Sequence, residues 1–259
     1  MTRSLVTGAA RRLGRAMALY LAGRGHDVAV HYAGSGEEAA GVVAEIEALG
    51  RRAVALQADF LDEADVSALL PAAAEALGGP VTCLVNNASI FEYDTVASAT
   101  RAGWDRHLDS NLRAPFLLTQ AMAAQGLQAD TDDAGEPVAT GLIVNMVDQR
   151  VLKPTPEFMT YTIAKMGLWA MTRTTAQALA PAIRVNAIGP GPTMQGARQS
   201  EAHFAAQRAG TVLGRGAGPG DVTAALGYFL DAPSVTGQLI CVDGGQHLGW
   251  KTPDIVGTE

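Results

Sequence analysis

The chain is short of the features that mark several protein classes. Of its 259 residues only two are cysteines, Cys83 and Cys241. That excludes a disulfide framework, and neither residue has metal-ligand spacing. There is no basic run, and 19 Lys and Arg stand against 26 Asp and Glu, for a net charge of −7. This balance argues against nucleic acid and against an anionic membrane surface as partners. No apolar stretch reaches the roughly eighteen residues of a membrane span. Residues 1–7 lead straight into a strand pattern, so no secretion signal is expected. No internal repeat and no linker interrupts the chain. A cytoplasmic protein with one domain over residues 1–259 is the expectation.

What is present is an apolar, Ala- and Gly-rich composition, 48% hydrophobic, long enough for a full α/β core. Ser4 to Thr7 reads as a strand, followed by a glycine turn and a helix on which Ala16, Leu19, Tyr20 and Gly23 share a face. The turn holds Gly8 and Gly14, with Leu13 inside it and Arg12 where a middle glycine often sits. Glycine lets the backbone approach a pyrophosphate, and free amides at a helix start favour its charge. Between a first strand and a first helix, this points to a dinucleotide fold. The second strand, 27–32, ends in His31, Tyr32, Ala33, Gly34 and Ser35, with no acid to hold ribose hydroxyls. The missing acid and the added Arg11 and Arg12 favour a 2′-phosphate, hence NADPH. The competing reading of Arg11 is a solvated surface residue.

Glu37 to Leu49 reads as an amphipathic helix, and 53–60 as a strand whose end, Asp59 and Phe60, is placed to meet an adenine. Asp62 caps a helix running to Leu77. A fourth strand, 82–89, ends in Asn87, Ala88 and Ser89, small and amide side chains suited to a flat-lying cofactor or to an ordinary turn. Trp104 to Gln125 reads as one helix with Asn111 inside it, a poor helix-interior residue that needs buried partners. Residues 126–140 read as a solvated loop, and Asp130, Asp132 and Asp133 as part of it rather than a cation site. His107, His203 and His247 are isolated, so no metal site is expected.

GLIVNMV (141–147) reads as a buried strand ending at Asp148. The following helix, to about Ala180, carries Tyr161 and Lys165 one turn apart on one face. A phenol beside a fixed ammonium is a usable proton donor, and the cation is expected to lower the phenol's pKa. A sixth strand and a Gly-Pro turn with Pro190 and Gly191 occupy 182–194. Residues 195–215 have weak periodicity and suggest a mobile substrate lid. A helix at 221–230, a last strand at 237–245 and a tail, 246–259, complete the chain. The alternation implies a doubly wound Rossmann fold, a seven-stranded parallel sheet with helices on both faces.

TGAARRLG, NNAS, Asn111, YTIAK, RVNAIGPGP and VDGG stand in an order and spacing that resembles the short-chain dehydrogenase/reductase family over about residues 3–245. The resemblance implies an NAD(P)-dependent oxidoreductase, usually a homotetramer. Of the family's catalytic Asn, Ser, Tyr and Lys, it carries over to Asn111, Tyr161 and Lys165. At the serine position stands Asp148. An ionised aspartate cannot donate to a carbonyl and repels an oxyanion, which puts simple ketone reduction in doubt.

The pteridine reductase branch, with the dihydromonapterin and dihydrofolate reductases, resembles this chain more closely. It shares the basic glycine turn, the His-Tyr strand end and a phenylalanine two residues after the serine, here Ser89 and Phe91. The resemblance implies a pterin between Phe91 and the nicotinamide, near Ser89, Asp148 and Tyr161, although Phe91 also reads as a core aromatic. The basic residue that often follows His-Tyr is absent, which leaves the 2′-phosphate to Arg11, Ser35 and His31. The leading expectation is an NADPH-dependent reductase of a 7,8-dihydropterin. The alternatives are an NADP(H)-dependent carbonyl or alcohol oxidoreductase, and an NADPH-sensing protein without turnover.

Overall fold

Seven short apolar strands pair in parallel to form the centre of the molecule. The structure is a computed structural model and describes residues 2–196 and 199–250. Parts of the lid (197–198) and of the tail (251–259) proposed from the sequence lie outside the described residues. The main strands are β1 (Arg3–Val6), β2 (Asp27–Tyr32), β3 (Ala53–Gln57), β4 (Cys83–Asn86), β7 (Gly141–Met146), β8 (Ile183–Pro190) and β9 (Leu239–Val242). Their order across the sheet is β3-β2-β1-β4-β7-β8-β9.

Side chains alternate between two cores, as strand geometry requires. Val6, Val28, Val30, Val85 and Val144 point to one face, beneath α1 (Arg12–Gly23), α2 (Gly36–Ala48) and α8 (Pro219–Asp231). Leu5, Ala29, Leu84, Ile143 and Val185 point to the other, beneath α3 (Glu63–Leu77), α5 (Ala114–Ala124) and α6 (Met159–Leu179). The inner face of α1 is Gly14, Met17, Ala18, Leu21 and Ala22. The face suggested by Ala16, Leu19, Tyr20 and Gly23 is rotated from it, because Ala18 and Ala22 pack as closely as larger residues.

Three stretches depart from the sequence reading. The acidic loop holds a small antiparallel hairpin, β5 (Asp130–Thr131) and β6 (Pro137–Val138), turned by Asp132 accepting from Ala134 and Glu136. The lid region contains a helix, α7 (Glu201–Ala209), capped by Ser200. The long helix is two, α4 (Arg101–Leu108) and α5, joined by a π-helical segment at Asp109–Arg113.

That π segment is where Asn111 sits, fully buried. Its Oδ1 accepts from the Ile90 N–H and its Nδ2 donates to the Ile90 carbonyl, both at 2.8 Å. A local helix irregularity thereby clamps the chain that leaves β4. Asn111→Asp sets a carboxylate oxygen, an acceptor, against the buried side of the Ile90 carbonyl, which loses its donor. The expected loss is about 1–3 kcal/mol of stability, read from the urea midpoint.

Candidate active site

The carboxyl ends of parallel strands meet along one edge, and the order reverses between β1 and β4. A cleft of about 430 Å³ opens there. Gly8, with φ +60°, and Gly14 make its floor. A Cβ on Gly14 falls 2.1 Å from the Gly8 carbonyl and 2.6 Å from Asn87 Nδ2. Asn87 Nδ2 donates to the Thr7 and Gly8 carbonyls at 2.8 and 3.2 Å, and the Asn87 and Ala88 amides donate to Thr7 Oγ1. Thr7 is a residue the sequence reading missed, and so is Ser110, which also lines the cleft. The tight, side-chain-free floor fits a pyrophosphate.

The walls carry Arg11, Arg12, Leu13, Asp59, Phe60 and Ser89. Arg11 is ion-paired with Glu38 on α2. Arg12 adopts φ +53°, the left-handed conformation glycine takes without cost, and donates to the Met194 and Gln195 carbonyls at 3.0 and 2.8 Å. Asp59 turns inward on its own loop, accepting from Leu61 N–H. Phe60 is buried and stacks on His31 at 4.5 Å. Tyr32 lies against Gly36, next to the half-buried Ser35. Pro190 ends β8, and Gly191 packs so close to Asp243 that a Cβ falls 2.6 Å from its side chain.

His31 does not serve the 2′-phosphate as expected. Its Nδ1 accepts from the Gly8 N–H at 3.0 Å and its Nε2 donates to the Ala58 carbonyl at 3.1 Å. Burial pushes its pKa down to about 4, so the ring is neutral and both nitrogens are used. It braces the glycine turn instead.

On the far side of the strand ends, the buried Tyr161 donates through Oη to Oδ2 of the half-buried Asp148 at 3.0 Å. Burial pushes the Asp148 carboxyl up, against the Arg150 N–H that it accepts at 2.9 Å. Lys165 Nζ donates to the Met146 carbonyl at 2.8 Å, and burial pushes its pKa down to about 8. The expectation that Lys165 lowers the phenol is not met in this arrangement. Tyr161 is pushed well up, first by burial and then by the charge of Asp148. The ammonium lies 5.7 Å from the ring centre, whereas the carboxylate touches the hydroxyl. Phe91 stands edge-on to Tyr161 at 4.6 Å. It also stacks on Phe158 at 4.2 Å, with Arg150 over the Phe158 ring. Neither Phe158 nor Arg150 was foreseen, because nothing in spacing links them to Phe91. Among the described residues no group of three His, Cys, Asp or Glu is placed to hold a metal.

A family profile described as Enoyl-(Acyl carrier protein) reductase matches residues 8–247. The chain belongs to the short-chain dehydrogenase/reductase family. A solved structure of FolM alternative dihydrofolate reductase 1 from Brucella canis, complexed with NADP, is 43% identical. It superposes with a TM-score of 0.90 over 98% of this chain and 97% of that one. A short chain dehydrogenase from Burkholderia cenocepacia, also with NADP, is 35% identical, with a TM-score of 0.84 over 95% and 97%. The 3-oxoacyl-(acyl-carrier-protein) reductase FabG of Staphylococcus aureus is 32% identical over 96% of this chain and 99% of that protein.

Two expectations follow for this short-chain reductase. Glu38→Gln frees Arg11 for the cofactor, so NADPH binding tightens about two- to fivefold while NADH binding stays constant, by fluorescence titration. The second concerns Asp148, whose folded pKa lies above its unfolded value. Its contribution to stability is present below the ordinary carboxylate range and is lost as pH rises through the raised folded value. Asp148→Asn removes that loss, so the urea midpoint falls less between about pH 3.5 and 8 than in the parent protein.

Proposed function

We propose that this enzyme reduces a 7,8-dihydropterin, of the monapterin, biopterin or folate type, to its tetrahydro form with NADPH. The Tyr161–Asp148 hydrogen bond carries this reading. A ketone reductase needs donors at the substrate oxygen, where negative charge develops. Here the position that would hold a second donor holds an acceptor, and the one phenolic proton is directed at it. A ring imine ends on a nitrogen far more basic than a ketone oxygen, so its reduction relies less on donors that stabilise an anion, and a phenol backed by a carboxyl whose pKa is raised is a proton source for it.

The cofactor is NADP(H), and when bound it supplies hydride to the ring carbon. Gly8, Gly14 and Asn87 shape the pyrophosphate floor, and Arg11 on the wall, with Ser35 beyond the lining, is the group for the 2′-phosphate. Phe91, backed by Phe158, offers a rigid flat face for a pterin ring. Ser89 and Asp148 border the substrate, and Tyr161 passes the proton to ring nitrogen. Lys165 supports the ribose, and Asn111 holds the loop beneath. The likeness to the Brucella FolM structure supports the same assignment. A second reading, a carbonyl or alcohol oxidoreductase, is favoured by the likeness to FabG. We further propose a cytoplasmic homotetramer. The exposed Trp104, Phe116, Ile163 and Met166 on the outer faces of α4, α5 and α6 support the assembly, and the unpaired Cys83 and Cys241 suit a reducing compartment.

NADPH oxidation is measured with dihydromonapterin, dihydrobiopterin, dihydrofolate and a panel of small ketones. Tyr161→Phe is expected to lower kcat on the dihydropterin by about 10²–10⁴. Asp148→Ser is expected to lose the pterin activity. If Asp148→Ser keeps or gains ketone turnover and the parent never turns over a dihydropterin, the carbonyl reading replaces this one.

A further inference from the structure

Helix α6 carries Tyr161 in its first turn, yet it has no cap of its own. Its N-cap residue, Phe158, is held at φ +54° and has no side-chain acceptor. Two amides that a local cap would satisfy are met by one residue, 64 and 66 positions earlier in the chain. Phe158 N–H donates to the backbone carbonyl of Asp94 at 2.8 Å. Thr160 N–H donates to Asp94 Oδ1 at 3.2 Å, and the Thr160 hydroxyl donates to Asp94 Oδ2. An acidic acceptor at the second position of a helix is the arrangement of an ordinary N-cap, and it also suits the helix dipole.

The network continues. His107 Nδ1 lies 2.7 Å from Thr160 Oγ1, and His107 Nε2 accepts from the Glu92 N–H at 3.1 Å. That acceptor role places the ring proton on Nδ1, from which it is donated to Thr160. Donor and acceptor then match along the whole line: Glu92 N–H to His107, His107 to Thr160, Thr160 to Asp94. All three side chains are buried, at 1% exposure for His107 and Thr160 and 7% for Asp94. The His107 ring stands 6.1 Å from the Tyr161 ring at 72°.

We propose that Asp94 is a positioning residue: it caps α6 across the fold and, through Thr160 and His107, sets the Tyr161 phenol against the Phe91 wall. The segment carrying Phe91 is pinned at Ile90 by Asn111 and at Asp94 by α6. The donor wall and the stacking wall therefore move as one unit. The inference rests on the reading of Tyr161 as proton donor, but the capping geometry does not.

Two near-isosteric changes break the line without leaving a hole. Asp94→Asn offers one acceptor where two Thr160 donors converge. Thr160→Val removes the hydroxyl on which His107 and Asp94 meet, whereas Thr160→Ser keeps it. Three quantities are measured on each full-length variant: kcat, the Kd for NADPH by fluorescence, and hydrogen exchange over residues 158–164. The expected result for Asp94→Asn and Thr160→Val is about a tenfold loss of kcat and about tenfold faster exchange in that segment, with NADPH Kd within about twofold of the parent. Thr160→Ser is expected to stay within about twofold on all three. The proposal is overturned if exchange is unchanged, if NADPH binding weakens in step with kcat, or if the serine variant falls as far as the valine. Faster exchange with unchanged kcat, where Tyr161→Phe also leaves kcat unchanged, removes the catalytic reading and leaves the cap.

Discussion

The proton between Tyr161 and Asp148 is the constraint on which the site depends. Tyr161 is buried and Asp148 half-buried, and loss of hydration penalises the charged form of each. A buried carboxylate is tolerated only where protein donors replace its hydration, and here they are the phenol and the Arg150 amide. The nearby ammonium of Lys165 is itself pushed towards neutrality and is steadied by the Met146 carbonyl at the end of β7. Asp148 and Tyr161 each raise the cost of ionising the other, so the two titrate as a coupled pair. The sheet makes this possible, because β7 delivers Asp148 and Met146 to the same edge at which α6 begins.

Holding such a set costs backbone strain, and the structure places that strain beside it. Among the described residues two non-glycines have positive φ, Arg12 and Phe158. Each is compensated by contacts that glycine cannot make. Arg12 reaches the carbonyls of Met194 and Gln195, tying the cofactor turn to the chain that covers it. Phe158 turns the chain sharply into α6 and stacks on Phe91, with Tyr93 edge-on at 5.2 Å. The strained residues are thus the joints between the glycine turn, the segment at Met194 and Gln195, and the aromatic wall.

The alternation of apolar strands and helices was legible because the five inner strands of the sheet are buried on both faces, which leaves short apolar runs and clear breaks. Tyr161, Lys165 and Asp148 were legible because one strand end and one helix turn place them, all within eighteen residues. What spacing cannot convey is direction. His31 was read as facing the cofactor, but its ring turns inward to Gly8 and Ala58, since a neutral buried imidazole fills two backbone valences at once. Arg11 was read as a free cation, but Glu38 on the next helix holds it. Asp94 carries no local signal at all. Its partner is a helix amide brought to it only by the packing of α6 on α4, and in sequence it is one acidic residue in a polar stretch.

The choice between ketone and pterin chemistry turns on the same point of direction. In a carbonyl site the phenol's proton must face the substrate, and any neighbouring group must share that sense. A carboxylate that accepts the phenol's hydrogen bond reverses it, and a ketone oxygen placed there meets a negative centre as its own charge grows. An imine nitrogen differs in basicity: it takes the phenol's proton before or as hydride reaches carbon, so no anion has to develop beside Asp148, and the phenol regains its proton from solvent by way of the carboxyl. The high pKa of Tyr161, unhelpful to a nucleophilic phenolate, keeps its proton in place until a basic nitrogen takes it. On the proposed reading, the residue that departs from the family pattern and the aromatic face beside it serve one substrate: a flat ring whose reducible bond ends in nitrogen.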